Sequence, residues 1–334
     1  MRRNRIYFLR PAIRKMEGSN LPSLLSSSLL FIILFHFLMI IAGCRCGLSP
    51  HRGRWFYVRP DGNDSNSGHS PERAWRTIGR VNLEDFEPGD RILFEGGCRF
   101  EGTILLGPGD SGSDGKRITL SSFGAKAARI DGGDAGGLRA DSCDYLTVEK
   151  LSFQGNGRKG GNTSEGVFIS RSRFAETDSL EISGFQHSGL RLHLCDDARI
   201  TRVYAHDNGF AGIHATGTTI WDTARYDNHR LYIGHCVAEN NPGDPSVTDN
   251  HSGSGIIASS VESGIIEYCE AFGNGWDMPW NGNGPVGIWI WDSRDFIIQY
   301  CVSRDNRSAP DAADGGGFDF DGGVSHSILQ YCQK

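Results

Sequence analysis

Arg191 and His193 share one short segment, Gly189-LRLH, and His214 takes the place of Arg191 in the next such segment, Gly212-IHAT. A guanidinium beside imidazoles supplies what β-elimination from a uronic acid needs. One group must take the C5 proton and a cation must neutralise the neighbouring carboxylate. The same three side chains would also suit a solvated polar face. Further along, Gly287-IWIW carries Trp289 and Trp291, and Gly317-FDFD carries Asp319 and Asp321. Exposed indoles offer flat apolar faces for a sugar ring to stack on. Two carboxylates at i and i+2 on a strand stand about 6–7 Å apart, closer to the ~6.5–9.5 Å of inverting glycoside hydrolysis than to the retaining spacing. Alternatively they bind sugar hydroxyls, or hold Ca²⁺ with Asp311 and Asp314 from the preceding loop, since hard cations select carboxylate oxygens.

These residues have meaning together only if the chain stacks their segments. Six segments open on a glycine followed by alternating residues, at Gly166, Gly189, Gly212, Gly255, Gly287 and Gly317, with steps of 23, 23, 43, 32 and 30 residues. A second unit recurs out of phase with Val203, Cys236, Cys269, Cys301 and Cys332 at its centre, stepping by 33, 33, 32 and 31. Asn208, Asn241, Asn274 and Asn306 follow five residues after the first four of these. Self-similarity at this period signals a solenoid, and period-2 alternation broken by Gly, Asn and Asp makes its elements strands. The fold expected is all-β, a right-handed parallel β-helix of about six or seven coils, with the longer steps looped out.

Stacking predicts the faces. The first and third residues after each glycine, Val167/Ile169 through Phe318/Phe320, are all apolar and should point inward. The second and fourth then point out, which aligns Phe168/Ser170, Arg191/His193, His214/Thr216, Ile257/Ser259, Trp289/Trp291 and Asp319/Asp321. The tryptophans would line a groove or lie beneath the loops of the long steps. The cysteines stack as a core ladder or bond in pairs, since adjacent coils at ~4.8 Å fall in the disulfide range. Parallel side chains favour the ladder, and the asparagines a stack of bonded amides.

The chain has 334 residues, 22% of them charged, with 45 glycines. Without the six basic residues and one acid before residue 44, the body carries 28 basic against 39 acidic side chains, a net −11. Such a body is unsuited to a phosphate backbone, and no nucleic-acid partner is expected. Residues 1–15 are basic and residues 24–43 form an uncharged apolar run ending Ile41-Ala42-Gly43-Cys44. That order describes an export signal. Its ending resembles a lipobox, with Cys44 as the lipidated residue; an uncleaved N-terminal membrane helix or a plain cleaved signal are the other readings. Residues 1–43 are thus read as signal or anchor, 44–54 as linker and 55–334 as the β-helix domain, in the cell envelope or secreted. The last repeat ends at Lys334 with no polar cap, the expected mark of a truncated reading frame.

Residues 56–104 contain FYVRPDGNDSNSGHSPERAWRTIGRVN and then PGDRILFEGGCRFEGTI. This opening resembles that of exported bacterial proteins of the pectate-lyase-like right-handed β-helix superfamily, through Tyr57, Val58, Pro60, Gly62, Asp64, Gly68, Trp75, Thr77, Ile78, Pro88, Gly89 and Asp90. The resemblance implies the fold and leaves the activity open. With the residues above, it suggests an extracellular polysaccharide as partner and a lyase acting on acidic glycans. Arg191, His193 and His214 would be catalytic, and Trp289, Trp291, Asp319 and Asp321 would bind substrate. The alternative is a non-catalytic glycan-binding surface protein or an inactive remnant.

Overall fold

The computed structural model describes residues 53–218, 226–312 and 315–334. The leader, Cys44 and Asp314 lie outside the described residues, so the signal, lipidation and part of the calcium expectation are not addressed by it. Among the described residues no helix is long and apolar enough to cross a membrane.

Three parallel sheets of ten, eight and eight strands wrap one core. Each coil adds one strand to each sheet. Arg199–Thr201, Tyr204–His206 and Ala211–Thr216 form one coil, and Asn228–Gly234, Val237–Glu239 and Ser254–Ser259 form the next. The sheet built from the glycine-led segments runs from Ile104–Leu106 to Gly316–Phe320. The coils therefore exceed the six or seven expected. The first two strands of that sheet, Ile104–Leu106 and Leu138–Asp141, precede the six segments read from the sequence, the second directly behind Gly137.

The family-like opening folds the N-terminal end. Trp75 is fully buried and stacks on Phe56 at 4.8 Å. Asp64 accepts from the backbone N–H of Arg76 (2.7 Å) and Thr77 (3.0 Å) and from the Thr77 hydroxyl (2.8 Å), which makes the Asp61–Asp64 segment a hydrogen-bonded turn. Asp90, fully buried, accepts from the Arg54 backbone (2.7 Å) and guanidinium (2.6 Å) and from the Glu87 N–H (2.9 Å). These motif residues are structural.

Corners repeat as regularly as strands. Between the ten-stranded sheet and the next, one residue per coil takes a left-handed conformation: Lys150, Ser179, Arg202, His235, Tyr268, Tyr300 and Tyr331, with φ of 50–56°. A single such residue redirects the chain while its neighbours stay in their ladders. The rings of His235, Tyr268, Tyr300 and Tyr331 stack along this corner at 5.1 Å.

Cys236, Cys269, Cys301 and Cys332 are free thiols in an inward column. Each Sγ donates to the carbonyl two residues before it at 3.2–3.3 Å and faces an isoleucine carbonyl of the preceding coil at 3.7–3.9 Å. Side chains held parallel this way satisfy themselves on backbone, so the ladder prevails over disulfides. Burial pushes the Cys195 thiol up to about 11 and the Cys143 thiol up to about 12. Thiolate is the reactive form. Cys143, Cys195 and Cys269 are thus expected to resist iodoacetamide at neutral pH until the protein is unfolded, as mass spectrometry would register. Native labelling of Cys269 at the rate of an exposed thiol would contradict the ladder.

Candidate active site

Pairing along the glycine-led sheet follows the predicted register. Arg139, Phe168, Arg191, His214, Ile257, Trp289 and Asp319 stand in one outward column, one residue per coil. Ser170, His193, Thr216, Ser259 and Trp291 belong to the second. The inward positions from Val167 to Ile290 are buried, and Phe318 and Phe320 pack half-buried against the core. Alternation sets this pattern, because side chains of successive residues leave opposite faces.

Outward does not mean exposed. Ile257 is 0% and Trp289 4% exposed, packed with Ala211 and Val286 in a second apolar cluster outside the barrel. The Trp289 indole N–H donates to Ser254 Oγ at 3.1 Å, and His251 meets its ring edge-on at 4.9 Å. Loops inserted by the 43- and 32-residue steps cover this stretch. The expectation of Trp289 as an open stacking platform is corrected accordingly: its apolar surface is spent on those loops. Trp291 lies half-buried at the margin of the cluster.

Asp319 is half-buried beside Trp289, while Asp321 is exposed and accepts from the Gly322 N–H at 2.7 Å. Asp311 is also exposed. Among the described residues no group of three or more His, Cys, Asp or Glu gathers to hold a metal. Asp314, the fourth member of the expected Ca²⁺ set with Asp311, Asp319 and Asp321, lies outside the described residues.

Where the column is still open, a cleft of about 300 Å³ is lined by Glu165, His187, Ser188, Arg191, Phe210, His214 and Val247. Arg191 and His214, neighbours in register, face it together. His193 does not line it: two residues on from Arg191, it sits half-buried in the second column with Nδ1 buried and unpartnered. Burial and the Arg191 charge hold its pKa below the ordinary histidine value.

Three residues that sequence reasoning passed over complete the cleft. Glu165, just before Gly166, accepts from Arg191 Nη1 at 2.8 Å and fixes the guanidinium. His187, two residues before Gly189, places Nδ1 2.6 Å from Asp244 Oδ2. Asp244, on the loop of the 43-residue step, is wholly buried, and its Oδ1 accepts from the Ser246 N–H (2.9 Å) and hydroxyl (2.7 Å) and from Gln186 Nε2 (3.2 Å). The only sequence signals were the length of that step and a histidine at the mouth of a repeat strand.

The Asp244 hydrogen bond raises the His187 pKa, with desolvation opposing it. Burial alone would raise the Asp244 carboxyl, but the bonds from His187 and Ser246 bring it below its ordinary value. An ionised carboxylate only accepts, so Nδ1 carries the proton and Nε2 is the remaining ring nitrogen. Burial drives the His214 pKa well below its ordinary value, with the Arg191 charge adding to the effect. Phe210 stacks on that ring at 5.1 Å. The cleft thus combines an oriented basic imidazole, a neutral imidazole and a fixed cation.

Among solved structures, the fold is similar to that of the GH136 lacto-N-biosidase from Eubacterium ramulus, at 18% identity and a TM-score of 0.62, over 92% of this chain and 60% of that one. The chain therefore spans about 60% of that enzyme's length. Pectate lyase Pel9A matches at 18% identity and a TM-score of 0.46, over 83% of this chain and 78% of that one. A rhamnogalacturonan lyase matches at 15% and 0.49, over 74% and 69% respectively. At such identities the likeness is one of fold. No curated protein sequence matches the chain. The family model described as "Right handed beta helix region" matches residues 165–332, half of the chain, the stretch that holds the cysteine and asparagine ladders and the cleft. The chain belongs to the right-handed β-helix family.

Proposed function

We propose that the protein is an exported polysaccharide lyase that cleaves acidic glycans in the cleft between His187 and Arg191. The observation that carries this reading is a histidine oriented by a buried carboxylate, facing a fixed arginine across one cleft. Export is supported by the basic, apolar, Gly43-Cys44 order of the leader, with Cys44 as the anchoring residue. The acidic body supports a partner other than nucleic acid.

Arg191 binds the uronate carboxylate and withdraws its charge, which acidifies the C5 proton. His187 Nε2 takes that proton, and a base with a pKa near the working pH is the efficient one. The electron pair left on C5 forms the C4–C5 double bond and expels the oxygen on C4. That oxygen receives the proton now on His187, so no water is consumed. His214, neutral, hydrogen-bonds the sugar, and Glu165 keeps Arg191 aimed. The base assigned to Arg191, His193 and His214 by sequence thus passes to His187.

The full-length protein is incubated with acidic and neutral polysaccharides, with and without Ca²⁺, following unsaturated-uronate absorbance and reducing ends. Both should rise on an acidic glycan, and Arg191→Ala should lower the rate about 10²–10³-fold. Reducing ends without unsaturation would replace elimination by hydrolysis. Silence from folded protein that still binds glycan would make it a non-catalytic surface binder.

A further inference from the structure

We infer that the cleft is blind at one end and that the protein removes short units from a chain end rather than cutting polymers internally. The inference rests on the lyase reading above and concerns how the polymer lies in that site.

The wall stands on the C-terminal side of His214. Phe210 stacks on His214, His251 packs on Phe210 at 5.6 Å, and behind them Trp289 and Ile257 are sealed. Val247 also lines the cleft. The loop bearing Asp244, Val247 and His251 is braced from behind. The Asp244 N–H donates to Ser252 Oγ at 3.0 Å, and the Ser252 N–H faces Met278 Sδ at 3.3 Å. Arg158 Nη1 donates to the Gly243 carbonyl at 3.0 Å while also pairing with Asp277. A Cβ on Gly253, whose φ is +86°, would come within 2.8 Å of Gly275 Cα, so the two covering loops lie back to back. A wall carrying buried Asp244 cannot swing aside without releasing His187.

The other side is open. Towards the N-terminal coils the same column presents Phe168, then exposed Arg139, then Leu105 at 51% exposure, with coils ~4.8 Å apart. The Arg139 and Arg191 guanidiniums flank the Phe168 ring at 5.1 and 5.5 Å from its centre. A chain of acidic sugars leaving the cleft this way crosses the edge of that ring and then meets a second cation. Arg139 is thus a binding residue for the sugars held away from the cut.

The test is a time course on a long acidic polymer that the protein cleaves, with chain length followed by size-exclusion and products by mass spectrometry. One short product should accumulate from the start while the mean polymer length barely falls. An early ladder of sizes with collapsing viscosity would overturn the inference and leave the lyase reading intact. Absence of cleavage on every glycan would overturn the lyase reading and this inference with it. Trp289→Ala, and the milder His251→Ala should the first unfold the protein, are expected to add internal cuts; wall variants that stay folded and active without internal cuts would count against the wall. Arg139→Ala should raise KM on long chains about tenfold with kcat kept. An unchanged KM would remove Arg139 from the path.

Discussion

Asp244→Asn is expected to lower turnover on an acidic glycan by about 10²–10⁴-fold and to move the acid limb of the pH–rate profile to lower pH. His187 must be unprotonated to take the C5 proton, so the rate climbs with pH through its pKa. The carboxylate 2.6 Å away raises that pKa, and an amide does not. The limb therefore shifts towards acid. The rate still falls, because the amide can present its NH₂ to Nδ1 and force the ring proton onto Nε2, the nitrogen that must be bare. The profile of kcat/KM against pH separates these effects, and an unaltered profile would exclude His187 as the base. The same pair stabilises the fold in a defined window. The lowered Asp244 pKa gives stability that is lost as pH falls below the ordinary carboxylate range near ~3.9, and the raised His187 pKa gives stability that is full below ~6.5 and lost as pH rises through the folded value.

Asn274→Ala is expected to destabilise the protein by about 2–6 kcal/mol, taking two stranded buried donors at ~1–3 kcal/mol each. Asn274 Oδ1 accepts both the backbone N–H of Asn241 and its side-chain amide at 2.9 Å. Its own Nδ2 donates to the Ala238 carbonyl (3.0 Å) and to Asn306 Oδ1 (2.8 Å). Asn208 makes the same bonds to Asn241 one coil earlier, at 3.1 Å. Each amide thus ties three segments of backbone, and alanine leaves the donors facing a void that water does not reach. Asn306→Ala, at the half-buried end of the row, should cost nearer ~1 kcal/mol. Urea unfolding would show the midpoint falling at constant slope. Equal midpoints for Asn274→Ala and the wild type would mean the ladder contributes nothing net.

Much of this molecule was legible from its repeats. A recurring Gly-x-x-x-x segment with apolar residues at alternate places has one way to bury them, so the faces of Arg191, His214, Trp289 and Asp319 followed from alternation. The cysteine and asparagine columns followed from constant spacing, since a coil of fixed perimeter returns the same position to the same corner. The first coils escaped because Leu151 and Leu180 stand where later coils carry cysteine, and Gly137 before Leu138–Asp141 was left out of the glycine-led series. Trp289 was left between a groove and a place beneath loops, because alternation reports which side of a sheet a residue leaves and says nothing of a loop laid over that side. His193 was grouped with Arg191 because they share a face, although one residue pair along a strand separates the cleft from the second column.

The sequence by itself determined the coil, the in-and-out order of its strands and the interior ladders, because each depends on contacts repeated at one period along the chain. Only the tertiary structure decided the site. Glu165 reaches Arg191 across 26 positions and Asp244 reaches His187 across 57. Both partners sit in irregular segments between strands, whose course is set by what they pack against rather than by any period. The base proposed here depends on such a segment, since it is the buried Asp244 carboxylate that orients the His187 ring and raises its pKa.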